Sequence, residues 1–537
     1  MTGLLSDFKV AWRVMLSHPA FSLMAIGMLS LGIAGNAAIF SLFNGLFLRP
    51  FPFPNAERLV DVDETAPQWN LEFVGTSNYD QDLWRRSTQT FEGIAFFTGG
   101  GGNLSGEGSV QRVRGAQVTW NLLDVLGLKP ALGRSFTPAD DKPGAPDILM
   151  LSHGLWQSAF QGDREIVGRV LKINERPYTV TGVLPREAVL PDQADVWIPL
   201  RPDLSQGSGW YLSGIGRLRS GVTLRQAQAD LLRIHGNAPA NPRSNHIPGI
   251  TSPTIRPLRD RYLGGVRTAS RMLLIAVGAV LLIACVNIAA LMLVRGAARA
   301  REIAIRTAIG ASRSRIVAQL MSESLLIAGI AGIAGLLGGA GLLKMAVPLM
   351  PENLPRWVTF EFDARFALFC LAITGTATVL FALLPAIQAS GVPAREAMQE
   401  GGRTSGSRRH TFTLRILVVA KVALALVVLV AAGLVLQAYR EVSRVDPGFR
   451  RTACSRSRFL YPVRYRNDKP GSRIGFSDRL ITELRSLPGV QSAAATSAPP
   501  LGGHWGNFYQ AEGTRGMGPN ERIPVVLQVV VTPGYLG

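Results

Sequence analysis

The sequence predicts an α-helical integral membrane protein with a large α+β extracytoplasmic domain, followed by the start of a second repeat. Three observations predict it. Five apolar runs are each long enough to cross a hydrocarbon core, which takes about 20 residues of helix. Arginines crowd alternate connections between those runs, as they do where a connection stays in the cytoplasm. One connection, residues 49–270, is long enough to fold by itself and mixes strand and helix patterns.

The first run, Phe21–Phe47, holds 27 residues and no charged side chain. It is too long for the apolar stretch of a signal peptide and has no small-residue cleavage site, so it is expected to stay as an anchor. Ahead of it, in residues 1–18, Leu5, Phe8, Trp12, Met15 and Leu16 share one helical face, with Lys9 and Arg13 elsewhere. That pattern predicts an amphipathic helix on the inner membrane surface, the alternative being a helix packed on other cytoplasmic protein. Pro19 suits the break between this helix and the first span. The remaining spans are drawn at Met272–Val294, Leu325–Val347, Phe366–Ile387 and Ile416–Leu436.

Charge sets their orientation. Residues 295–320 carry Arg295, Arg299, Arg301, Arg306, Arg313 and Arg315 against Glu302 alone. The linker 391–415 carries Arg395, Arg403, Arg408, Arg409 and Arg415 against Glu396 and Glu400. The connection between them is acidic, with Glu352, Glu361 and Asp363 against Arg356 and Arg365. The N-terminus and both basic connections are therefore expected inside, and residues 49–270 outside. The net charge of +19 would ordinarily raise nucleic acid as a partner, but residues 49–270 hold 24 basic and 22 acidic side chains. Because much of the excess lies beside the apolar runs, the bilayer is the expected partner and nucleic acid is not.

In the third span Ala331, Gly335 and Gly339 recur at four-residue spacing, a pattern that lets helices approach closely in lipid. No charged residue sits mid-span, so no proton relay or ion path is expected. Between the second and third spans, Ala297–Ile309 reads as a helix with a Glu302–Arg306 pair. Gly310 suits its stop and Ser312 the N-cap of the next helix. Ile303, Ala304, Ile309 and Ile316 leave apolar surface amid arginines, as a docking elbow for a cytoplasmic partner would. A charged loop against anionic lipid headgroups is the other reading.

In the external domain, Leu59–Asp63, Ile94–Phe97, Val110–Val118 and Val196–Leu200 read as strands, and Val167–Val183 as a hairpin turning near Asn174–Pro177. Leu83–Arg86, Leu122–Leu126 and Leu224–Ile234 read as helices, and Gly99–Gly102 with Asn103 as a flexible loop. No nucleophile elbow, Ser-x-x-Lys or H-E-x-x-H pattern occurs. The six histidines show no metal-ligand pairing, His235 and His246 being separated by a Pro/Asn-rich stretch. Asp61, Asp63, Glu64, Asp140 and Asp141 are expected to be solvated loop charges. Cys285 and Cys370 lie inside apolar runs and Cys454 stands alone, so neither a disulfide framework nor a zinc spacing is present. No catalytic role, cofactor or metal is expected.

Residues 440–537 begin to resemble the external domain again. Gln117-Val118-Thr119-Trp120-Asn121-Leu122-Leu123 has a counterpart in Val530-Val531-Thr532-Pro533-Gly534-Tyr535-Leu536. The expectation is a duplicated protein given as its N-terminal portion. The arginine-rich stretch Ala453–Arg466 departs from the apolar strand expected there.

Taken together, the motifs resemble the MacB/FtsX-type ABC permeases, closest to the duplicated orphan permeases first noted in acidobacteria. Leu31-Gly32-Ile33-Ala34-Gly35-Asn36, running to Leu48-Arg49-Pro50-Phe51-Pro52, is similar to the family's opening span. Phe160-Gln161-Gly162-Asp163, Tyr178-Thr179-Val180-Thr181-Gly182 and Asp195-Val196-Trp197-Ile198-Pro199 resemble its MacB-like periplasmic core domain. Arg301-Glu302-Ile303-Ala304-Ile305-Arg306 and Gly310-Ala311-Ser312-Arg313 resemble its cytoplasmic connection.

The resemblance implies a permease of the bacterial inner membrane, worked by a cytoplasmic ATPase that pushes on Arg301, Glu302, Arg306, Gly310, Ala311, Ser312 and Arg313. No G-x-x-x-x-G-K-[ST] motif occurs in the chain, so that ATPase is expected to be a separate polypeptide. A periplasmic adaptor or a second permease copy are further expected partners. Three functions stay open: extrusion of a lipophilic substrate, FtsX-like signalling to a cell-wall hydrolase, and an ATPase-free binding or sensor module.

Overall fold

The computed structural model describes residues 2–49, 51–69, 71–105, 111–191, 193–205, 209–298, 302–303, 305–306, 309, 311–349, 364–390, 406–444, 471–498, 505–508 and 525–535. The chain divides into two compact units. A helical one takes Met1–Arg49, Leu263–Leu354 and Val358–Val445, and a sheet one takes Pro50–Tyr262, Pro355–Trp357 and Asp446–Gly537. Helix α1 spans Thr2–Ser17 and α2 spans Pro19–Phe43, with a π turn at Asn44–Leu48. Pro19 sits in the first turn of α2, where its missing N–H has no partner to lose. On α1, Ala11 is buried whereas Trp12 and Leu16 are exposed.

The sheet unit runs β1 (Leu59–Thr65), α3 (Asn78–Ser87), β2 (Phe91–Ser105), β3 (Gln111–Val118), α4 (Leu122–Val125), β4 (Leu132–Gly133) and β5 (Ile148–Leu151). It continues with α5 (His153–Phe160), β6 (Val170–Ile173), β7 (Arg176–Val183), β8 (Val196–Pro199), β9 (Ser213–Leu218), α6 (Leu224–Asn237) and β10 (Ser252–Pro257). The ten strands form one mixed sheet in the order β10-β1-β9-β2-β3-β8-β5-β7-β4, with β6 pairing both β2 and β7. Among the described strands of this sheet, β3–β8 and β5–β7 are parallel and the other pairs antiparallel.

Period-two alternation explains how this sheet is covered on both faces. Leu59, Ala95, Phe97 and Ile215 belong to one core cluster, and Val60, Val62, Ile94 and Phe96 to another with Trp84 of α3 and Leu231 of α6. Side-chain caps open the helices: Ser77 on α3, Ser152 on α5, and a full capping box of Thr223 and Gln226 on α6. The hairpin turns at Asn174 and Glu175, both at positive φ (51° and 67°), as a two-residue turn demands.

One expectation is overturned: Gly99–Gly102 is strand rather than loop. Those glycines lie within β2 and pair in register with Val113–Ala116 of β3. A Cβ on Gly102 would stand 2.4 Å from Ile173 Cγ2 on β6, so the missing side chain is what lets the three strands close. Strands β5, β9 and β10 and helix α5 had no assignment from pattern alone. The four apolar residues of β5 do not alternate, β9 is diluted by Gly214 and Gly216, and β10 carries Pro253 and Pro257 as an edge strand tolerates.

Helix α7 runs unbroken over Leu258–Ala298, followed by α8 (Arg313–Ala346), α9 (Ala364–Ser390) and α10 (Gly406–Arg444). Among the described residues, five stretches are long and apolar enough to cross a membrane: Pro19–Leu48, Ser270–Arg295, Arg313–Ala346, Ala364–Leu383 and Arg415–Glu441. Ala25, Leu29 and Ile33 of α2 form one cluster with Leu281 and Ile288 of α7, Ala328 and Ala331 of α8, and Phe381 of α9. A methyl on Gly335 would lie 2.7 Å from Ile33 Cβ, and one on Gly339 2.9 Å from Ala37 Cβ. The small residues of α8 are thus the surface on which α2 rests. Asn36, buried in α2, donates through Nδ2 to the carbonyls of Gly32 (2.9 Å) and Val277 on α7 (2.8 Å). Phe40 stacks on Phe369 with centroids 3.8 Å apart, and the Arg295 guanidinium lies 4.0 Å from the Phe21 ring centroid.

Beyond α10, α11 spans Gly471–Ser486, and β11 (Trp505–Phe508) pairs antiparallel with β12 (Val525–Gln528). Ala453–Arg466 lies outside the described residues, as do residues 391–405 of the linker. One hydrogen-bond pattern occurs twice. Thr119 N donates to Phe96 O and Thr119 Oγ1 accepts from Phe96 N at 2.9 Å; Thr532 N donates to Ala495 O and Thr532 Oγ1 accepts from Ala495 N at 2.8 Å. Each threonine carbonyl then takes the N–H three residues on, Leu122 in one place and Tyr535 in the other.

Candidate functional site

The connection between α7 and α8 is a compact elbow built by local rules. Ile309 N–H donates to Ile305 O (3.1 Å) and Ala311 N–H to Arg306 O (3.0 Å), which closes the helical turn. Ser312 Oγ accepts from Arg315 N, starting α8. Arg306 is the tie: one Nη bonds Glu302 Oε1 (2.5 Å) and the other reaches Gln319 Oε1 on α8 (2.7 Å). Ile303 and Ile316 turn inward, whereas Ile305 (48% exposed) and Ile309 (82% exposed) face solvent beside Arg306 and Arg313. Of the residues singled out in this elbow, Glu302, Arg306, Ala311, Ser312 and Arg313 sit together, while Arg301 and Gly310 lie outside the described residues. Ile305 is read from the sequence only as part of the Arg301–Arg306 motif and not among the exposed apolar residues; its spacing of four from Ile309 is the signal that would have placed it there.

In the sheet unit, the acids read as solvated loop charges are buried. Asp61 and Asp63 alternate with Val60 and Val62 on β1, so the pleat turns them into a covered face, where polar groups meet them. Asp61 takes Arg256 Nε at 2.9 Å and Arg261 Nη1 at 2.6 Å. Asp63 Oδ1 accepts from the backbone N–H of Glu64 (2.8 Å) and Gly75 (2.6 Å), yet burial lifts its pKa to about 6. Asp141 accepts from Trp120 N and Arg201 N, and burial pushes it up as well.

Asp140 goes the other way. Arg134, bonded at 2.7 Å, and then the Thr137 hydroxyl and N–H hold it down at about 2 against its partial burial. A carboxyl depressed in the folded state stabilises above its unfolded pKa of about 3.9 and loses that contribution as pH falls toward 2. Asp140→Asn is expected to cost about 1 kcal/mol at pH 7, a value reduced for the exposed Arg134 partner. The difference in melting temperature from the parent should vanish between about pH 4 and pH 2.

The expectation of unpaired histidines is also corrected. The loop between α6 and β10 folds back, with Asn241 bridged to His246, and places the His235 and His246 rings 4.2 Å apart beside Asp80 of α3. Sequence separation hid this because the pairing depends on where a surface loop returns.

With this geometry in hand, comparison with known proteins is specific. Residues 22–234 match the MacB-like periplasmic core domain, and residues 274–400 match the FtsX-like permease C-terminal domain. The macrolide export ATP-binding/permease protein MacB of Rhodospirillum rubrum is 29% identical over 288 residues, 51% of this chain and 41% of that protein. MacB of Neisseria gonorrhoeae is 23% identical over 414 residues, 73% of this chain and 60% of that protein. The uncharacterized ABC transporter permease YknZ of Bacillus subtilis is 26% identical over 286 residues, 52% of this chain and 67% of that protein. The chain therefore spans less than two thirds of the MacB relatives. The two domain matches follow each other in the order of the sheet unit and the later helices, and the chain belongs to the MacB/FtsX-type ABC transporter permeases.

Proposed function

We propose that this chain is the permease of a mechanotransmission transporter that extrudes a lipophilic substrate, worked by a separate cytoplasmic ATPase. The N-terminus and the elbow lie in the cytoplasm, the sheet unit lies outside the inner membrane, and exposed Trp12 and Leu16 rest in the membrane surface. The basic connections support that orientation. The name of the Rhodospirillum relative, an ATP-binding macrolide exporter, supports the direction and class of cargo. The repeated threonine pattern supports a duplicated permease of the kind noted in acidobacteria, in which a second external domain begins after α10.

The elbow carries the reading. Ile305 and Ile309 are exposed between arginines on a turn fixed by the Glu302–Arg306–Gln319 bonds, and a rigid apolar knob with a basic rim is what a nucleotide-driven partner can push. Coupling requires that its contacts differ between the partner's nucleotide states. Ile309→Asp should weaken co-purification of the ATPase by about tenfold or more, the loss typical of an interface hot spot, while the melting temperature stays unchanged. Vesicles holding both proteins should then lose ATP-dependent movement of a lipophilic probe. Retained ATPase binding would remove the elbow from the mechanism, and ATPase binding without transport by the parent would favour signalling to a cell-wall hydrolase.

A further inference from the structure

Three elements of the sheet unit converge on one buried point. Asp80 stands in the first turn of α3, His235 near the end of α6, and His246 in the loop leading to β10. Each is at most 3% exposed, and one ligand atom from each lies within 4.8 Å of the others. His246 Nδ1 is 2.6 Å and His235 Nδ1 3.4 Å from the same oxygen, Asp80 Oδ1.

The hydrogen bonding leaves a residue of unmet demand. Ser77 Oγ holds Asp80 Oδ2 at 2.7 Å, Thr251 Oγ1 meets His235 Nε2 at 3.2 Å, and Trp210 Nε1 meets Glu64 Oε2 at 3.0 Å. Yet His246 Nε2 and Glu64 Oε1 are buried with no hydrogen-bond partner among the described residues, and His235 Nδ1 has only its long contact with Asp80. Each such atom costs about 1–3 kcal/mol if nothing meets it. Glu64, wholly buried, also feels the Asp80 charge. No lysine or arginine pairs with either carboxylate among the described residues; the nearby arginines Arg256 and Arg261 are taken by Asp61. Two acids and two imidazoles with no lysine or arginine beside them are costly to enclose.

We propose that Asp80, His235 and His246 hold a zinc ion, with Glu64 beside it balancing the charge. Two carboxylates neutralise a divalent cation, and imidazole nitrogen with carboxylate oxygen is a donor set zinc accepts. Three protein ligands from α3, α6 and the loop before β10 would reinforce the hold on that loop, which the His246–Asp80 and Thr251–His235 bonds already tie to α3 and α6. The site lies wholly within the sheet unit and stands independently of ATPase coupling.

The test uses the full chain in detergent, purified through a tag without histidines from zinc-supplemented cells. Elemental analysis is expected to find one zinc per chain in the parent and in the control His153→Gln, a half-buried histidine bonded to Arg186 outside the cluster. Asp80→Asn and His246→Gln should each lower zinc content at least about tenfold. Because these variants can also fail to fold, the parent is stripped with chelator and titrated with Co²⁺. A ligand-field absorption saturating at one equivalent, without the thiolate charge-transfer band that cysteine ligands would add, is the expected result. A parent without zinc and without a stoichiometric cobalt spectrum overturns the proposal, as does equal zinc in the parent and in folded Asp80 and His246 variants.

Discussion

Gly335→Leu is expected to separate α8 from α2 and to destabilise the helical unit by about 3 kcal/mol or more, at the upper end of what overpacking costs. Its first added carbon already falls 2.7 Å from Ile33 Cβ and Cγ2 and 3.0 Å from the Ser30 carbonyl. The isoleucine has no open side to move into, since Ile33 is fully buried among Leu29, Leu281 and Ala331. The Ser30 oxygen belongs to the helix backbone, so relief requires α2 itself to shift, and with it the Asn36 bond to Val277. Gly341→Leu is the matched control, because nothing lies within 4 Å of a Cβ added there. Thermal unfolding in detergent, followed by helical circular dichroism, should show a clear fall for the first variant and little change for the second. Equal behaviour of the two would mean that the glycine stripe is not the seat of α2.

What could be read from the chain divides along the range of the interaction involved. Span length and helix caps are local, so Pro19, Ser312 and the small-residue spacing on α8 were legible as soon as the residues were in order. The partner of that stripe was not, because Ile33 and Ala37 meet it only through tertiary packing. The glycines of β2 carry the composition of a loop, and only the approach of Ile173 shows why a strand needs them. Likewise the elbow's Glu302–Arg306 pair follows from spacing, whereas the Arg306–Gln319 tie depends on how α8 turns back. The buried acids and the Asp80–His235–His246 cluster were the least legible: polarity alone says exposed, and the covering elements come from residues about 150 to 200 positions away along the chain.

That hidden charge can be weighed directly at Asp61. Its carboxylate is fully buried and its two oxygens are held by Arg256 and Arg261, themselves only partly exposed. Arg256→Met/Arg261→Met keeps the length and apolar stems of both side chains while removing every positive charge that faces Asp61. An uncompensated carboxylate in a covered sheet face should then cost about 3–5 kcal/mol. Adding Asp61→Leu to that background should recover most of the loss, because exchanging a whole buried ion cluster for apolar residues is often neutral or stabilising. Six of the nine tryptophans lie between Trp69 and Trp210, so urea unfolding of the full chain followed by tryptophan fluorescence reports mainly on the sheet unit. A double variant within about 1 kcal/mol of the parent would show that water reaches Asp61, since only solvation could replace both guanidinium groups at so little cost. A triple variant no better than the double would instead place the loss in the arginines' other contacts. Those include the Arg261 bond to Ser213 Oγ at 2.9 Å, the Arg261 guanidinium 5.7 Å from the Phe97 ring centroid and the Arg256 guanidinium 3.5 Å from the Phe73 ring centroid, and single substitutions there would apportion it.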